Sequence, residues 1–447
     1  MQQSVGGRVF PVLTVTGLGV DVNNANWVHP ADLLGFSRLA VDGTVGLTGL
    51  IEAMHLNITG SPVIPAPGIP APGIPGTPAR GRTSGITGLV YDSIRAIAGL
   101  AGGGIDAIVP PLALMLAEPK SIPEREAVLA VLNGVMGDYL AATGNPLAIS
   151  MCLRRQGRPL TLEMPALAAA IPHASGKLVV LVHGLCMNDR QWTRKGHNHG
   201  AALARDLGYT AVHLHYNGGL HISTNGRAFA NLIEDLLDQW PAPLEEFAIV
   251  AHSLGGLVSR SAYHYGMVAG HRWPHRLGKL IFLGTPHHGA PLKRVGNWVD
   301  AVLRLSPYTS PLLGLSRIRS AGITDLRYGN LLDEDWEGRD RFERSGDQRR
   351  PVPLPGSVQC YAIAGTTASE IAGPSYGVPG EGDGLPGEGD VLPGDGLVPV
   401  NSALGRHREL GRSLSFGESG QWIGYGMNHW DLLNRPAVYE QIARWLA

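Results

Sequence analysis

Residues 248–256 constrain the fold of this chain more than any other segment. They read Ala-Ile-Val-Ala-His-Ser-Leu-Gly-Gly, an apolar strand that ends near Ser253 and continues directly into helix-compatible sequence. The small residues Ala251 and Gly255, two positions either side of the serine, permit a sharp strand-to-helix turn. Such a turn lifts a serine hydroxyl above the edge of a sheet, so the segment predicts a nucleophile elbow at Ser253.

Strand-like segments alternate with helical ones from about residue 147 onwards. The first two, 147–153 and 159–163, flank the arginine-rich segment 154–158 and predict an antiparallel hairpin. Further strands are predicted at 178–182, 211–216, 247–251, 280–283 and 358–364, and a weaker one at 412–416. Alternating strands and helices predict an α/β fold, a mostly parallel sheet covered by helices on both faces.

The first strand after this hairpin ends in a loop with a special composition. Residues 178–182 are apolar, follow Lys177 and lead into His183-Gly-Leu-Cys186. A serine nucleophile needs two backbone N–H groups aimed at the developing oxyanion, one from such a loop and one from the residue after the serine. The candidates for this oxyanion hole are therefore Leu185 and Leu254.

Two more motifs follow the serine along the chain. Asp395 lies in Gly-Asp-Gly-Leu-Val-Pro after a predicted strand, and His429 lies in Met-Asn-His-Trp-Asp before a helical pattern. The order serine, acid, histidine resembles that of the α/β-hydrolases. The Ala-His-Ser-Leu-Gly-Gly elbow and Gly-Thr-Pro-His-His-Gly at 284–289 are similar to segments of bacterial lipases, and the second also to GPI-inositol-deacylase-like hydrolases. The resemblance covers residues 175–447.

This resemblance implies the hydrolysis of a hydrophobic carboxylic ester through an acyl-enzyme. Ser253 would be the nucleophile, His429 the general base and acid, and Asp395 the residue that orients the imidazole. No metal and no organic cofactor are implied. An acyltransferase, a thioesterase or a polyester depolymerase could use the same triad. The alternative of another class is a non-catalytic protein that binds lipid or granules.

Several carboxylates compete with Asp395 for the role of triad acid. They repeat a similar glycine-rich pattern upstream of it, at Glu381, Asp383, Glu388 and Asp390. We prefer Asp395, because a short apolar run follows it and leads into a predicted helix, as in the hydrolase acid motif. An oxygen-rich calcium loop over 381–395 stays open as an alternative, although its spacing fits no EF-hand.

Other polar residues near these motifs have structural interpretations. His252 is expected to point into packing and His183 to brace the oxyanion loop. His287 and His288 precede the acid along the chain, so the triad order argues against them. Asp431 resembles a calcium-linked aspartate of some bacterial lipases, but we favour a helix N-cap at this position.

The chain divides into a helical N-terminal region, residues 1–145, and a hydrolase domain, residues 146–447. The N-terminal region contains a Pro-rich link at 61–80, and an insertion at 291–355 is predicted to form a cap with its arginines in solvent. Apolar residues at three- and four-residue steps predict helices at 32–54, 86–100 and 123–143. These helices form either a scaffold packed on the hydrolase or a contact with a lipid or polymer surface.

Charge and cysteine content limit the partners and the compartment. The formal net charge of the 447-residue chain is -1, which gives no electrostatic basis for nucleic-acid binding. Three scattered cysteines favour reduced thiols over a disulfide framework. The first residues lack the pattern of a signal peptide, so we expect a cytoplasmic protein, with the periphery of a membrane or granule as the alternative.

Overall fold

The computed structural model describes residues 31–43, 123–290, 319–339, 347–369 and 393–447, apart from residues 33 and 36. It also gives the backbone of two short antiparallel strands, β1 (Ile64–Pro65) and β2 (Gly81–Arg82). The predicted helix at 86–100 and the competing carboxylates at 381–390 lie outside the described residues. So do residues 291–318 and 340–346 of the predicted cap.

The other described strands form one large sheet and a small hairpin. The strands of the sheet are β3 (Cys152–Arg155), β4 (Arg158–Pro159), β5 (Lys177–Val182), β8 (Thr210–His215), β9 (Glu246–His252), β10 (Lys279–Leu283), β11 (Gln359–Gly365) and β12 (Gln421–Gly424). The hairpin is β6 (Thr193–Arg194) with β7 (His197–Asn198). In the sheet the order is β12-β11-β10-β9-β5-β8-β3-β4, parallel from β12 to β8. Strands β3 and β4 are antiparallel to their neighbours.

Helices cover both faces of this sheet. They are α1 (residues 31–43), α2 (Pro123–Ala142), α3 (Met164–Ala170), α4 (His199–Leu207), α5 (Ile222–Asp238), α6 (Leu254–Val268), α7 (Ala321–Tyr328), α8 (Val400–Ala403) and α9 (Pro436–Leu446). None of the helices in the described ranges combines the length and apolarity needed to cross a bilayer.

Alternate side chains of the central strands build two separate cores. Leu178, Val180 and Val182 of β5 pack with α5 and α6, whereas Val179 and Leu181 pack with α4 and α9. Successive side chains of a strand point to opposite faces, so a strand apolar at every position requires cover on both sides. The predicted α/β-hydrolase fold, a mostly parallel sheet between two helical layers, is confirmed.

The opening hairpin is shorter than the sequence predicts. Its turn is Gln156-Gly157, with φ of 53° and 77°, so residues 154 and 155 belong to β3 and residue 158 begins β4. Two central residues with positive φ form the tight hairpin turn that matches the twist of the strands. Arg155, predicted to lie between the strands, therefore pairs with Arg158, and Arg154 pairs with Pro159.

The predicted strand at 412–416 is wrong. A 3₁₀ turn at Leu410–Arg412 and an irregular segment occupy this stretch, and the edge strand is β12. The alternating apolar residues that suggested a strand pack individually: Leu414 against Gly405, and Phe416 with its ring 6.2 Å from that of Phe282. An irregular segment can therefore produce period-two alternation when each apolar side chain has its own contact.

Helix α2 lies before the predicted domain boundary and contacts the sheet domain. Its Val131 and Val135 belong to the same buried cluster as β5. The Asn217 amide donates to the carbonyl of Gly137 (2.9 Å), and the Ser320 hydroxyl donates to that of Gly134 (2.7 Å). The helix is thus part of the core that supports the carboxyl ends of the strands.

The described parts of the predicted cap are tied to the domain surface. Trp336 stacks on His221 with ring centroids 3.6 Å apart, and its indole N–H donates to the Ser223 hydroxyl. The expectation that the arginines point into solvent is wrong for Arg349. Its side chain is largely buried, pairs with Asp347 and donates to the Gly329 carbonyl.

Candidate active site

Ser253 lies in a strained turn between β9 and α6. Its φ of 55° and ψ of −123° are unfavourable for a residue with a side chain, and strain of this kind is concentrated at functional sites. The Ser253 amide donates to the carbonyl of Leu283 on β10 (2.9 Å). A Cβ on Gly255 would lie 2.5 Å from the Val182 carbonyl oxygen, so only glycine lets α6 approach β5 this closely. The local geometry is that of a nucleophile elbow.

Asp395 and His429 form a buried pair. The Nδ1 atom of His429 lies 2.6 Å from Oδ2 of Asp395, and both side chains are about 1% exposed. The other carboxylate oxygen accepts from the amides of Leu397 (3.0 Å) and Val398 (2.8 Å). The His429 amide also donates to the Asp395 carbonyl (3.0 Å), so the two residues are joined by main chain and side chain.

The second ring nitrogen of His429 is available for proton transfer. Within the described part of the chain, Nε2 is buried and has no hydrogen-bond partner. His252, the residue before Ser253, lies against the same imidazole, with ring centroids 4.5 Å apart and its Nε2 3.2 Å from the His429 carbonyl. The structure therefore brings Ser253, His429 and Asp395 into one buried region at the carboxyl ends of β9, β10 and β11.

The two oxyanion candidates lie beside each other. A Cβ placed on Gly218 would be 3.3 Å from Cδ1 of Leu185 and 3.7 Å from Cδ2 of Leu254. Neither amide donates a hydrogen bond within the described residues. Gly184 supports the loop against the elbow, because a Cβ there would lie 3.1 Å from that of Ser253. Two unpaired amides beside an elbow could stabilise an oxyanion.

His183 and His252 are held by main-chain contacts. Nδ1 of His183 lies 2.9 Å from the Gly184 carbonyl, and the Tyr216 hydroxyl donates to the His183 carbonyl (2.8 Å). Burial lowers the pKa of His183 to about 4, and burial and the neighbouring His429 lower the pKa of His252 well below its usual value. Both imidazoles are therefore neutral near pH 7.

His287 and His288 lie on the loop after β10 and contact other elements. Nε2 of His288 lies 3.0 Å from the Gly405 carbonyl, and Nδ1 of His287 lies 3.4 Å from Arg260. The Ser402 hydroxyl accepts from the His288 amide and donates to the Gly289 carbonyl. These bonds attach the loop to α8, and neither ring takes part in the Asp395–His429 pair.

Asp431 is not the helix N-cap that the sequence predicts. It is the first residue of a 3₁₀ turn, Asp431–Leu433, and the capping acceptor is Asn428, whose Oδ1 receives the amides of Trp430 (2.9 Å) and Asp431 (3.1 Å). The Asp431 carboxylate instead accepts from the Asn428 amide (3.2 Å) and pairs with Arg435 (3.5 Å). Asn428 and Asp431 are three positions apart, the spacing of a capping box, so the sequence Asn-His-Trp-Asp already indicated this reciprocal pair.

Sequence reasoning also missed two glycines that enclose the buried pair. A Cβ on Gly284 would lie 3.1 Å from both Asp395 Oδ2 and His429 Cε1, and one on Gly365 would lie 3.0 Å from the Asp395 Cβ. Each glycine lies at the carboxyl end of a predicted strand, the first just after β10 and the second as the last residue of β11. This position could have identified them from the sequence, because the carboxyl ends of parallel strands meet at the same edge of a sheet, where the site lies.

The sequence raised metal binding for the glycine-rich stretch and, through a resemblance, for Asp431. No group of side chains with metal-binding geometry occurs in the described ranges, which leave out residues 370–392. The calcium alternative over 381–395 falls mostly on the residues left out and stays a prediction.

Comparison with known proteins bears on the catalytic domain. Residues 173–347 match the model of the PGAP1-like alpha/beta domain. No curated protein sequence matches the chain. Similar solved structures include the mature lipase BlEst2 of Bacillus licheniformis, with 16% identity over 67% of this chain and 98% of that chain and a TM-score of 0.37. EstA of Clostridium botulinum is another, with 14% identity over 61% of this chain and 87% of that chain and a TM-score of 0.36.

A third similar structure is phospholipase PlaB of Legionella pneumophila, with 16% identity, 51% of this chain and 45% of that chain covered, and a TM-score of 0.30. At these identities and scores the solved structures do not bear on the reaction of this chain. The family match and the sheet topology together confirm the resemblance to the α/β-hydrolases.

Proposed function

We propose that this α/β-hydrolase is a serine esterase that cleaves hydrophobic carboxylic esters through an acyl-enzyme. Ser253 is the nucleophile, His429 the general base and acid, and Asp395 the orienting carboxylate. The observation that carries the proposal is the His429–Asp395 pair. The Nε2 atom of His429 has no partner among the described residues and lies in the same buried region as the strained Ser253.

The reaction follows from the tautomer that this pair favours. The Asp395 carboxylate accepts a hydrogen bond from the Nδ1–H of His429, so the neutral imidazole presents a lone pair at Nε2. That nitrogen takes the hydroxyl proton as Ser253 Oγ attacks the ester carbonyl, and returns it to the leaving alcohol. Water then repeats the two transfers on the acyl-enzyme, releasing the acid and restoring the serine.

Charge that develops on the carbonyl oxygen needs donors that are already oriented. The amides of Leu185 and Leu254 are the proposed pair, supported by their common contact with Gly218 and by their lack of other partners in the described residues. Donors of this kind contribute about 3–4 kcal/mol each to transition-state stabilisation in other serine hydrolases.

A hydrophobic ester is the substrate class that the surroundings favour. The side chains of Leu185, Leu254 and Leu432 are fully buried around the proposed catalytic groups, and Leu432 lies within 2.8 Å of a Cβ placed on Gly284. Such walls offer dispersion contacts to an acyl chain and leave few polar groups for a charged one.

Covalent labelling tests the activated serine directly. A fluorophosphonate probe should label the wild-type protein and fail to label Ser253→Ala. Ser259→Ala is the matched control, because its hydroxyl lies on the same helix and is already bonded to the Gly255 carbonyl (2.8 Å). Equal labelling of wild type and Ser253→Ala would overturn the mechanism.

A substrate series then separates the remaining alternatives. Turnover of p-nitrophenyl esters from C2 to C16 locates the preferred acyl length, and matched thioesters test thioesterase activity. Adding a primary alcohol discriminates hydrolysis from acyl transfer, because a transferase would form the new ester in place of free acid. A folded wild-type protein that is inert to every ester and to the probe would favour the non-catalytic alternative.

A further inference from the structure

Arg260 is a buried cation on α6, seven residues after Ser253. At 1.5 Å per residue it lies about 10 Å along the helix from the proposed nucleophile. Its side chain is 5% exposed, one terminal nitrogen donates to the Val352 carbonyl and the other lies 3.4 Å from Nδ1 of His287. Its Nε is buried and has no partner in the described part of the chain.

No described carboxylate forms an ion pair with Arg260. Burial lowers its pKa, and the neighbouring Arg349 lowers it further, so its electrostatic surroundings are unfavourable for a cation. A buried charge without a counterion is strongly destabilising in a folded protein. A guanidinium in this setting therefore needs an anion that the described side chains do not supply.

A cavity of about 260 Å³ opens beside this side chain. Its charged and titratable lining is Arg260, Arg349, Arg350, Arg412, His287, His288 and Asp335. We refer to it as the Arg260 pocket. Four guanidinium groups and one carboxylate line it, so its lining is strongly cationic.

The acidic groups near the pocket are already engaged. Asp335 accepts from the amides of Leu331, Leu332 and Arg350. Asp347 pairs with Arg349 (2.6 Å) and Arg412 (3.4 Å). Arg412 also pairs with Glu409 (2.9 Å) and Arg350 with Glu334 (3.7 Å), so Arg260 is the one guanidinium of the lining without a carboxylate partner among the described residues.

His287 adds a donor to the same wall. Arg260 can only donate, so the His287 Nδ1 beside it must be the acceptor, and the ring proton resides on Nε2. That Nε2 is buried and without a partner among the described residues. The wall of the pocket therefore contains two N–H donors, one from Arg260 and one from His287, that are buried behind its surface and have no partner among the described residues.

We infer that the Arg260 pocket binds a phosphate group. A phosphate carries up to two negative charges and several acceptor oxygens, which suits a cavity walled by guanidinium groups, one of them without a carboxylate partner among the described residues, better than a single carboxylate would. The volume is below the usual range for drug-sized ligands and is ample for a phosphate with a short substituent. The phosphate could be free or the headgroup of a phospholipid.

Calorimetry with inorganic phosphate tests this inference on the full chain without requiring enzyme activity. At constant ionic strength we expect one site per chain in wild type, at least tenfold weaker binding in Arg260→Gln and several-fold weaker binding in Arg350→Gln. Arg444→Gln, a change at an exposed arginine, should bind as wild type does. Failure of saturable binding in wild type, or wild-type affinity in both Arg260→Gln and Arg350→Gln, would overturn the inference.

Two design features keep the result decisive. If Arg260→Gln does not fold, the exposed side chain of Arg350 still permits a mild substitution at the pocket wall. Titration with dioctanoyl phosphatidic acid then identifies the source of the phosphate. Binding at least tenfold tighter than that of inorganic phosphate, and lost in the pocket variants, indicates a lipid headgroup, whereas equal affinities indicate free phosphate.

Discussion

Asp395 contacts His429 with one carboxylate oxygen and is itself held through the other. Oδ2 lies 2.6 Å from His429 Nδ1, while Oδ1 accepts two amides from the turn that follows the aspartate, those of Leu397 and Val398. A carboxylate fixed at both oxygens cannot rotate to release the imidazole. The orientation of His429 is therefore set by a short stretch of main chain.

Asp395→Asn should lower kcat by about 10⁴, the loss found when a triad acid becomes an amide and the histidine takes the wrong tautomer. The asparagine amide donates where the carboxylate accepts, so the proton moves from Nδ1 to Nε2 of His429. Steady-state turnover of a p-nitrophenyl ester measures the effect.

The upstream carboxylates provide matched controls for this experiment. Asp383→Asn and Asp390→Asn should stay within a few fold of wild type, with or without a chelator. If Asp390→Asn is inactive and Asp395→Asn is active, the triad acid is Asp390 and not Asp395. If a chelator abolishes the turnover of the wild-type protein, the calcium alternative is favoured.

Ser253→Ala should remain folded and lose ester turnover to near background, since removal of a triad nucleophile costs roughly 10⁶ in kcat. His429→Ala should be similarly severe. Circular dichroism and thermal unfolding of both variants check that the fold persists, and substantial turnover by pure Ser253→Ala would rule out the mechanism.

Gly284→Ala tests the contact between the loop after β10 and the Asp395–His429 pair. The added Cβ would meet Leu432, Asp395 and His429, so kcat should fall at least tenfold. Gly208→Ala is the control, because it has a similar positive φ but open space at the Cβ position. Both variants should lose about 1–2 kcal/mol of stability through backbone strain, and equal turnover in the two would contradict the proposed contact.

Stability should fall when the pH is lowered from about 6.5 towards 4. Burial lowers the pKa of His183 and of His199 to about 4, whereas an unfolded histidine titrates near 6.5. Within that window the unfolded chain binds protons that the folded chain does not, so the free energy of unfolding rises with pH and is fully retained above 6.5. At pH 5 each of the two histidines should lower the free energy of unfolding by about 2 kcal/mol.

Urea unfolding at pH 7.5 and pH 5 measures this dependence. His199→Gln should reduce the difference between the two values, and His173→Gln, at an exposed position, should leave it unchanged. A free energy of unfolding that is the same at both pH values would contradict the burial of neutral histidines.

Removal of residues 1–145 should destabilise the sheet domain, because it deletes Val131 and Val135 from the main core. Burial of each valine contributes about 1.5–3 kcal/mol. Removal of residues 1–120 retains α2 and should be better tolerated. If the longer truncation stays soluble, keeps its ester turnover and loses only co-sedimentation with liposomes, the N-terminal helices act as a lipid contact.

The sequence predicts the central strands well because their apolar runs are continuous. A segment such as 178–182 is buried on both faces, so every position is constrained, and β5, β9, β10 and β11 lie within one residue of their predicted ends. Edge elements are less constrained. The strand β12 is only four residues long, and a neighbouring loop alternates as a strand would.

The candidate site was predictable where a motif carries its own geometry. Ser253, Asp395 and His429 each follow a recognisable local pattern, and their catalytic roles stay a prediction, as does the cytoplasmic location. Gly284 and Gly365 could not be recognised in the same way, because their importance arises from a contact between distant parts of the chain. Asn428 caps the 3₁₀ turn at Asp431–Leu433, whereas the sequence suggested a regular helix capped by Asp431 itself.

The carboxylate of Asp395 is oriented by residues that follow it in the chain. The two amides that hold it come from positions 397 and 398, and the imidazole that it contacts comes from position 429. We therefore expect the stretch 370–392, which precedes the aspartate, to tolerate changes of length. We expect a tag or a reporter inserted in this stretch to leave the ester turnover of the protein intact.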